Sequence, residues 1–243
     1  MLKPVDEALV NLQDRVRRDF SWSEIGDIES ANAMSRILAE SKPFGVAQWA
    51  VENIKSNLES LKKRLIEAEI VVLVGAAATE GQVEFAVKQN YTIIAADGAV
   101  GAVRERDKIA AVVSDFDGED YLDIAAKEGH LIIGHVHGDN QDKWRSCLEN
   151  WSSYLQKPEM IFTHQTNSSF DYLFNPGGFT DGDRALAIIL SLGIPKEKIQ
   201  FVGYEMTPSD RWSTLHDLDK KRKKLEWMYE CFKLCGVEDK IIV

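Results

Sequence analysis

The chain has 243 residues, with 29 basic against 39 acidic side chains and a formal net charge of −10. That length accommodates one sizeable core with an appendage, and the acidic balance argues against nucleic acid and against an anionic membrane surface as partners. No apolar run approaches a membrane span, the amino terminus lacks a signal-peptide apolar core, and Cys147, Cys231 and Cys235 make neither a disulfide framework nor a paired metal-ligand pattern, so a cytoplasmic, reducing location is expected.

Residues 1–66 read as a helical region. Val5, Leu9, Leu12 and Val16 keep a 3.6-residue stripe, with Arg15, Arg17 and Arg18 on a solvated face. A second short helix is expected over 21–41, with Ala31, Met34, Ile37 and Leu38 inward. Pro43-Phe44-Gly45 marks a break, and Ala50, Ile54, Leu58, Leu61 and Leu65 mark a third helix. This block shows no chemistry and is expected to cap the next domain or to supply a homodimer surface.

Over residues 67–206 the pattern changes to short β-branched runs. Strands are expected at 70–74, 91–96, 109–113, 131–133, 160–162, 172–174 and 199–202. Helical patterns at 82–88, 101–106, 121–127, 141–155 and 184–192 separate most of them. Strand alternating with helix predicts an α/β catalytic domain with a mostly parallel sheet and helices on both faces. Residues 207–243 are expected to add one amphipathic helix over 212–234, packed on that domain, with the run Lys220-Lys221-Arg222-Lys223-Lys224 on a solvated face. Residues 240–243 suit a terminal strand or a tail.

The chemistry centres on the strand that runs into Ser114-Asp115-Phe116-Asp117-Gly118. Side chains alternate along an extended chain, so Asp115 and Asp117 point the same way just past the strand end, where ligands of open α/β sheets sit. Two acids there suit a hard cation such as Mg2+ that bridges to phosphate; as turn or cap residues they would need no partner. Asp97, Asp139, Asp181 and Asp183 follow other strands, and in a parallel sheet such acids share one edge. Convergent carboxylates repel and raise each other's pKa, and a divalent cation is the simplest relief.

Three further clusters surround these acids. Gly75-Ala76-Ala77-Ala78-Thr79 is a small-residue loop between strand and helix that could meet a phosphate, although it is neither a dinucleotide fingerprint nor a P-loop. Gly177-Gly178-Phe179-Thr180-Asp181-Gly182-Asp183-Arg184 combines glycines that admit a ligand, a helix start capped by Thr180 and Asp183, and an arginine suited to phosphate. The plainer alternative is a capped helix with Arg184 in a salt bridge. His135-Val136-His137-Gly138-Asp139-Asn140 could bind Zn2+ if the chain stays extended, but a third neutral ligand is lacking. His137 and Asn140 are preferred as polar lining of a nucleotide site and His135 as a structural histidine.

Taken in order, Ala96-Asp97-Gly98-Ala99, Ser114-Asp115-Phe116-Asp117-Gly118, the His135 to Asn140 cluster, Thr163-His164-Gln165-Thr166 and the Gly177 to Arg184 cluster resemble the archaeal 6-hydroxymethyl-7,8-dihydropterin pyrophosphokinase family. Its fold is Rossmann-like and similar to the catalytic domain of thiamine pyrophosphokinase. The resemblance implies Mg2+ and ATP, with diphosphate passing to the hydroxymethyl group of a pterin and AMP leaving, in folate- or tetrahydromethanopterin-type cofactor biosynthesis. It implies that Asp115 and Asp117 are catalytic and hold Mg2+, with Asp97 and Asp139 as further or water-mediated ligands. Gly75, Gly98, His137, Asn140, Gln165, Gly177, Gly178, Thr180 and Arg184 would hold nucleotide or pterin groups, and Asp181 and Asp183 stay open between metal and pterin. One departure is the first loop, where the family's second glycine and proline are absent. Other expectations in play are a pyrophosphokinase for a different heterocyclic alcohol such as thiamine, a nucleotide-sugar glycosyltransferase, and a non-catalytic nucleotide-binding protein.

Overall fold

The computed structural model describes residues 2–212 and 217–241. Part of the expected C-terminal helix, 213–216, and the end of the expected terminal strand, 242–243, lie outside the described residues. Three helices come first: α1 (Glu7–Phe20), α2 (Glu24–Leu38) and α3 (Val51–Glu67). Asp6 and Ser23 cap the first two by accepting hydrogen bonds from the Ala8 and Ile25 N–H groups, and the Pro43–Gly45 break is a 3-10 turn.

The sheet has six strands: β1 (Val71–Val74), β2 (Thr92–Ala96), β3 (Ile109–Ser114), β4 (Leu131–His135), β5 (Glu159–Thr163) and β6 (Ile199–Val202). All pairs are parallel, in the order β5-β4-β3-β2-β1-β6. β1 and β3 are buried along their whole length, which is why they read as unbroken apolar runs rather than as an alternation. Between the strands lie α4 (Glu80–Lys88), α5 (Glu119–Lys127), α6 (Gln141–Ser152) and α7 (Asp181–Ser191), and α8 (Leu218–Cys235) closes the chain. Buried apolar side chains from Leu2 to Ile241 form one contiguous core. The Ile54, Leu58, Leu61 and Leu65 stripe of α3 joins it, packing on β3 and β5. Among the described residues no helix is long and apolar enough to cross a membrane.

Two expected elements differ. Residues 172–174 form only a bridge, Phe174 beside Thr163. A parallel neighbour needs a crossover of about a dozen residues, and the chain after β5 is shorter than that before it reaches Phe174. Residues 101–106 are not an α-helix; 101–102 end a 3-10 turn, Asp97–Ala102, and a second 3-10 turn starts at Arg106, consistent with the low helix propensity of Gly101.

The connectivity positions the site. The chain steps in one direction from β1 to β5, then returns to the far side of β1 for β6. Right-handed crossovers therefore set α4, α5 and α6 on one face and α7 on the other, and a crevice opens where the direction reverses, at the carboxyl ends of β1 and β6. Gly203, just after β6, has φ +71°, and a Cβ there would overlap the Ala78 amide nitrogen. Replacing Gly203 with Ala should therefore destabilise the fold by about 2–4 kcal/mol. Urea unfolding followed by tryptophan fluorescence checks this, and an unchanged midpoint would count against the close approach of the two loops.

Candidate active site

The carboxylates come from two strand ends and one helix start. After β2 the chain turns with Asp97 at φ +50°, and after β3 Phe116 sits at φ +71° between the two aspartates. Such left-handed conformations cost about 1–3 kcal/mol and persist only where the surroundings hold them. Here the Phe116 ring is buried beside Trp151, against Gly134, where a Cβ would overlap it. The Ser114 hydroxyl accepts the Phe116 N–H at 2.9 Å and donates to Asp97 Oδ1. With Phe116 turned inward, Asp115 and Asp117 face the same side. Asp181, the first residue of α7, completes the group: oxygens of Asp97, Asp115, Asp117 and Asp181 all lie within 4.8 Å of one another.

The group carries more negative charge than its neighbours offset. His137 Nε2 is 3.6 Å from Asp115 Oδ2, Lys143 is 3.7 Å from Asp117, and Arg184 is 3.1 Å from Asp181. Burial, then the charges of Asp117, Asp181 and Asp115, push Asp97 well above the usual carboxylate range. Burial and then the Asp115 charge do the same to Asp181 against the pull of Arg184, and they raise Asp117 to about 6. Asp115 goes the other way: burial acts to raise it, but hydrogen bonds from His137 and Asp117 and the His137 charge hold it below the usual range. Its buried Oδ1 has no hydrogen-bond partner. An oxygen-only donor set, with one orphaned carboxylate oxygen, fits a hard divalent cation such as Mg2+.

Asp139, expected among these ligands, is exposed and lies outside the group. The chain does not stay extended past His137 but folds into a 3-10 turn, Gly138–Asn140, that carries Asp139 away; Asp181 is the fourth acid instead. The same turn takes Asp139 out of the expected row, while the His135 and His137 rings stay side by side with centroids 5.7 Å apart. His135 is buried with its ring nitrogens 3.0 Å from Thr163 Oγ1 and 3.2 Å from Gln165 Oε1, as a structural histidine. Asn140 is a brace for the site: its Nδ2 donates to Asp115 O and His135 O, each at 2.8 Å, and its Oδ1 accepts the His137 N–H.

The anion-binding devices anticipated in the sequence are largely engaged within the fold. In the first loop, the N–H groups of Gly75, Ala77, Ala78 and Thr79 donate to Val202 O, Gly203 O, Gly75 O and Gln82 Oε1. At the start of α7, buried Asp183 accepts the Phe179 and Thr180 N–H groups and the Thr180 hydroxyl, and burial raises its pKa to about 6. Arg184 is 2% exposed and donates to Asp181 Oδ1 and Phe179 O. Gly177 and Gly178, both at positive φ, let the loop pack on Leu9 and on the α7 backbone, and Gly98 abuts the Trp212 carbonyl. This is the capped-helix alternative weighed for the sequence.

Sequence reasoning missed a buried network behind the site. Arg17, taken for a surface residue, donates to Asp27 Oδ2 and Gln165 O, and Gln165 Nε2 donates to the same Asp27 oxygen. The signal available was faint: Arg17 follows Val16 on the apolar stripe of α1. Next to Gln165, buried His164 accepts the Thr166 N–H, and burial lowers its pKa from 6.5 to about 4. A base depressed in the folded state loses stability as pH falls, because the unfolded chain takes up the proton first. Relative to a His164→Asn variant, the protein should lose about 2 kcal/mol of stability between pH 7 and pH 5. Parallel slopes for the two proteins in urea unfolding at the two pH values would refute this.

The acids open onto a cavity of about 450 Å3 at the β1/β6 crevice, whose walls include Phe179, Tyr204 and Trp212 and the α8 residues Lys220, Lys221 and Lys224. No family model matches the chain. No solved structure matches it either. Two archaeal proteins, each named 6-hydroxymethyl-7,8-dihydropterin pyrophosphokinase, are similar to it. That of Pyrococcus furiosus is 29% identical over 227 residues, covering 89% of this chain and 88% of the relative. That of Methanothermobacter thermautotrophicus is 35% identical over 111 residues, 44% of each chain. The similarity to the Pyrococcus furiosus protein thus runs nearly the whole length of the chain, and three of the motifs that carry the resemblance, those of Asp97, of Asp115 and Asp117, and of Phe179 to Gly182, line one cavity.

Proposed function

We propose that this protein transfers diphosphate from ATP to the hydroxymethyl group of 6-hydroxymethyl-7,8-dihydropterin and releases AMP, a step of pterin cofactor biosynthesis. The observation that carries the reading is the convergence of four carboxylates, from the ends of β2 and β3 and the start of α7, on the cavity at the sheet's topological switch point, in a chain similar to two proteins of that name. Asp97, Asp115, Asp117 and Asp181 would hold Mg2+, which supplies charge neutralisation for phosphate oxygens. The alcohol oxygen forms its bond to the β-phosphorus, the bond from that phosphorus to the α,β-bridging oxygen breaks, and the alcohol proton is released. Such transfers need positioning and charge complementarity more than covalent help from the protein.

The chain's own residues supply the positioning. Asn140 fixes the backbone at Asp115, and His137 stands 3.6 Å from the Asp115 carboxylate. Phe179 and Trp212 offer the flat apolar surfaces that heterocycles stack on. The test is AMP release from ATP and Mg2+ with the pterin alcohol, beside thiamine. AMP with the pterin alone supports the proposal. AMP with thiamine alone would keep the reaction and replace the substrate. No AMP with either would discard the reaction in favour of glycosyl transfer or simple nucleotide binding.

A further inference from the structure

The basic run of α8 is sorted by the helical period. Asp217, Lys221, Lys224 and Met228 recur at intervals of four, three and four and so share one face, and that face lines the cavity with Lys220 beside it. The other side of the helix is docked. Lys223 Nζ donates to Asp19 O of α1 at 2.7 Å, and Trp227 Nε1 donates to Asp19 Oδ2 at 2.6 Å. Arg222 pairs with Asp219 on the surface. These contacts set the rotation of α8 and direct Lys221 and Lys224 toward the carboxylates. Lys221 feels the charges of Asp117, Asp181 and Asp97, and Lys224 acts on Asp115 and Asp181. Rings steady two of the ammonium groups: Lys220 lies over Trp22 and Lys224 over Phe179.

Among the described residues, the cations that line this cavity are these three lysines. Four N–H groups of the first loop, those of Phe179 and Thr180 before α7, and the Arg184 guanidinium are engaged within the fold, so much of what would ordinarily receive a phosphate chain is already occupied and the positive charge facing the cavity comes from α8. We infer that Lys220, Lys221 and Lys224 form the anion-binding wall of the site and hold the polyphosphate chain of a nucleotide across from the acid group. This rests on the pyrophosphokinase reading for the identity of the nucleotide, while the chemistry itself asks only for a polyphosphate. Ammonium groups on flexible stems are suited to the task, because three rotatable donors can follow phosphate oxygens as they move apart.

The test compares Lys221→Gln, Lys224→Gln and the double variant with wild type, by calorimetric titration in Mg2+ with ATP, inorganic tripolyphosphate and AMP. The double variant should bind ATP and tripolyphosphate about 100-fold more weakly and AMP within about threefold of wild type, since each charged contact removed acts only on the phosphates present. Lys→Arg changes at both positions should restore most of the loss. Arg222→Gln removes the same charge from the solvent side of α8 and should leave every affinity unchanged. Unchanged tripolyphosphate binding in a folded double variant would overturn the inference, as would equal losses for all three ligands or an equal effect of Arg222→Gln. A failure of the pterin-dependent AMP assay in wild type would remove the assigned reaction, and these affinities would still decide for or against the lysine wall.

Discussion

Asp115→Asn should lower pterin-dependent AMP release by about 10³-fold or more while leaving the fold in place. Asp115 combines three properties: its carboxylate is held ionised, its buried Oδ1 has no protein partner, and it lies among three other acids. Asparagine keeps the shape and removes the charge, so the loss falls on cation and phosphate handling rather than on packing. Asp115 is the one acid of the group whose charge the fold favours, so the neutral variant should melt at the same temperature as wild type or slightly lower in metal-free buffer. The matched control is Asp139→Asn. Asp139 is exposed and outside the group, so that variant should stay within about threefold of wild type, the behaviour of a surface change away from the site. Full activity in Asp115→Asn, or equal loss in both variants, would show that the cation is held elsewhere.

Stripping divalent cations should abolish turnover, and adding Mg2+ back should restore it together with thermal stability. The second effect follows from the electrostatics of the site. Burial and mutual repulsion raise Asp97, Asp181 and Asp117, so the metal-free fold carries an unfavourable charge cluster that a cation binds and the unfolded chain does not reproduce. At about a hundredfold excess over its Kd, Mg2+ should add about 2.7 kcal/mol. Melting curves across a Mg2+ titration read this directly, and in Asp115→Asn the stabilisation should be much reduced. A melting temperature indifferent to Mg2+ in wild type would count against the acid group as its site.

The sequence by itself determined the α/β class, five strand ends that match the observed ones closely, and the facing of Asp115 and Asp117. All of these depend on local periodicity: a buried parallel strand is an apolar run, and alternation sets which residues just past it share a side. It also carried the family resemblance, because motifs keep their order along the chain whatever the fold does. Tertiary structure decided which acids meet. Asp139 and Asp181 look alike in sequence, but a 3-10 turn removes one, and α7, crossing to the opposite face of the sheet, delivers the other. It likewise turned Arg17 from a surface charge into a buried brace and moved the cavity's positive charge from Arg184 to α8. Those outcomes depend on strand order and on how α1 and α8 dock through Asp19, contacts between residues some two hundred positions apart. No local pattern encodes such contacts, because the free energy that selects them exists only once the sheet and its helices have packed together.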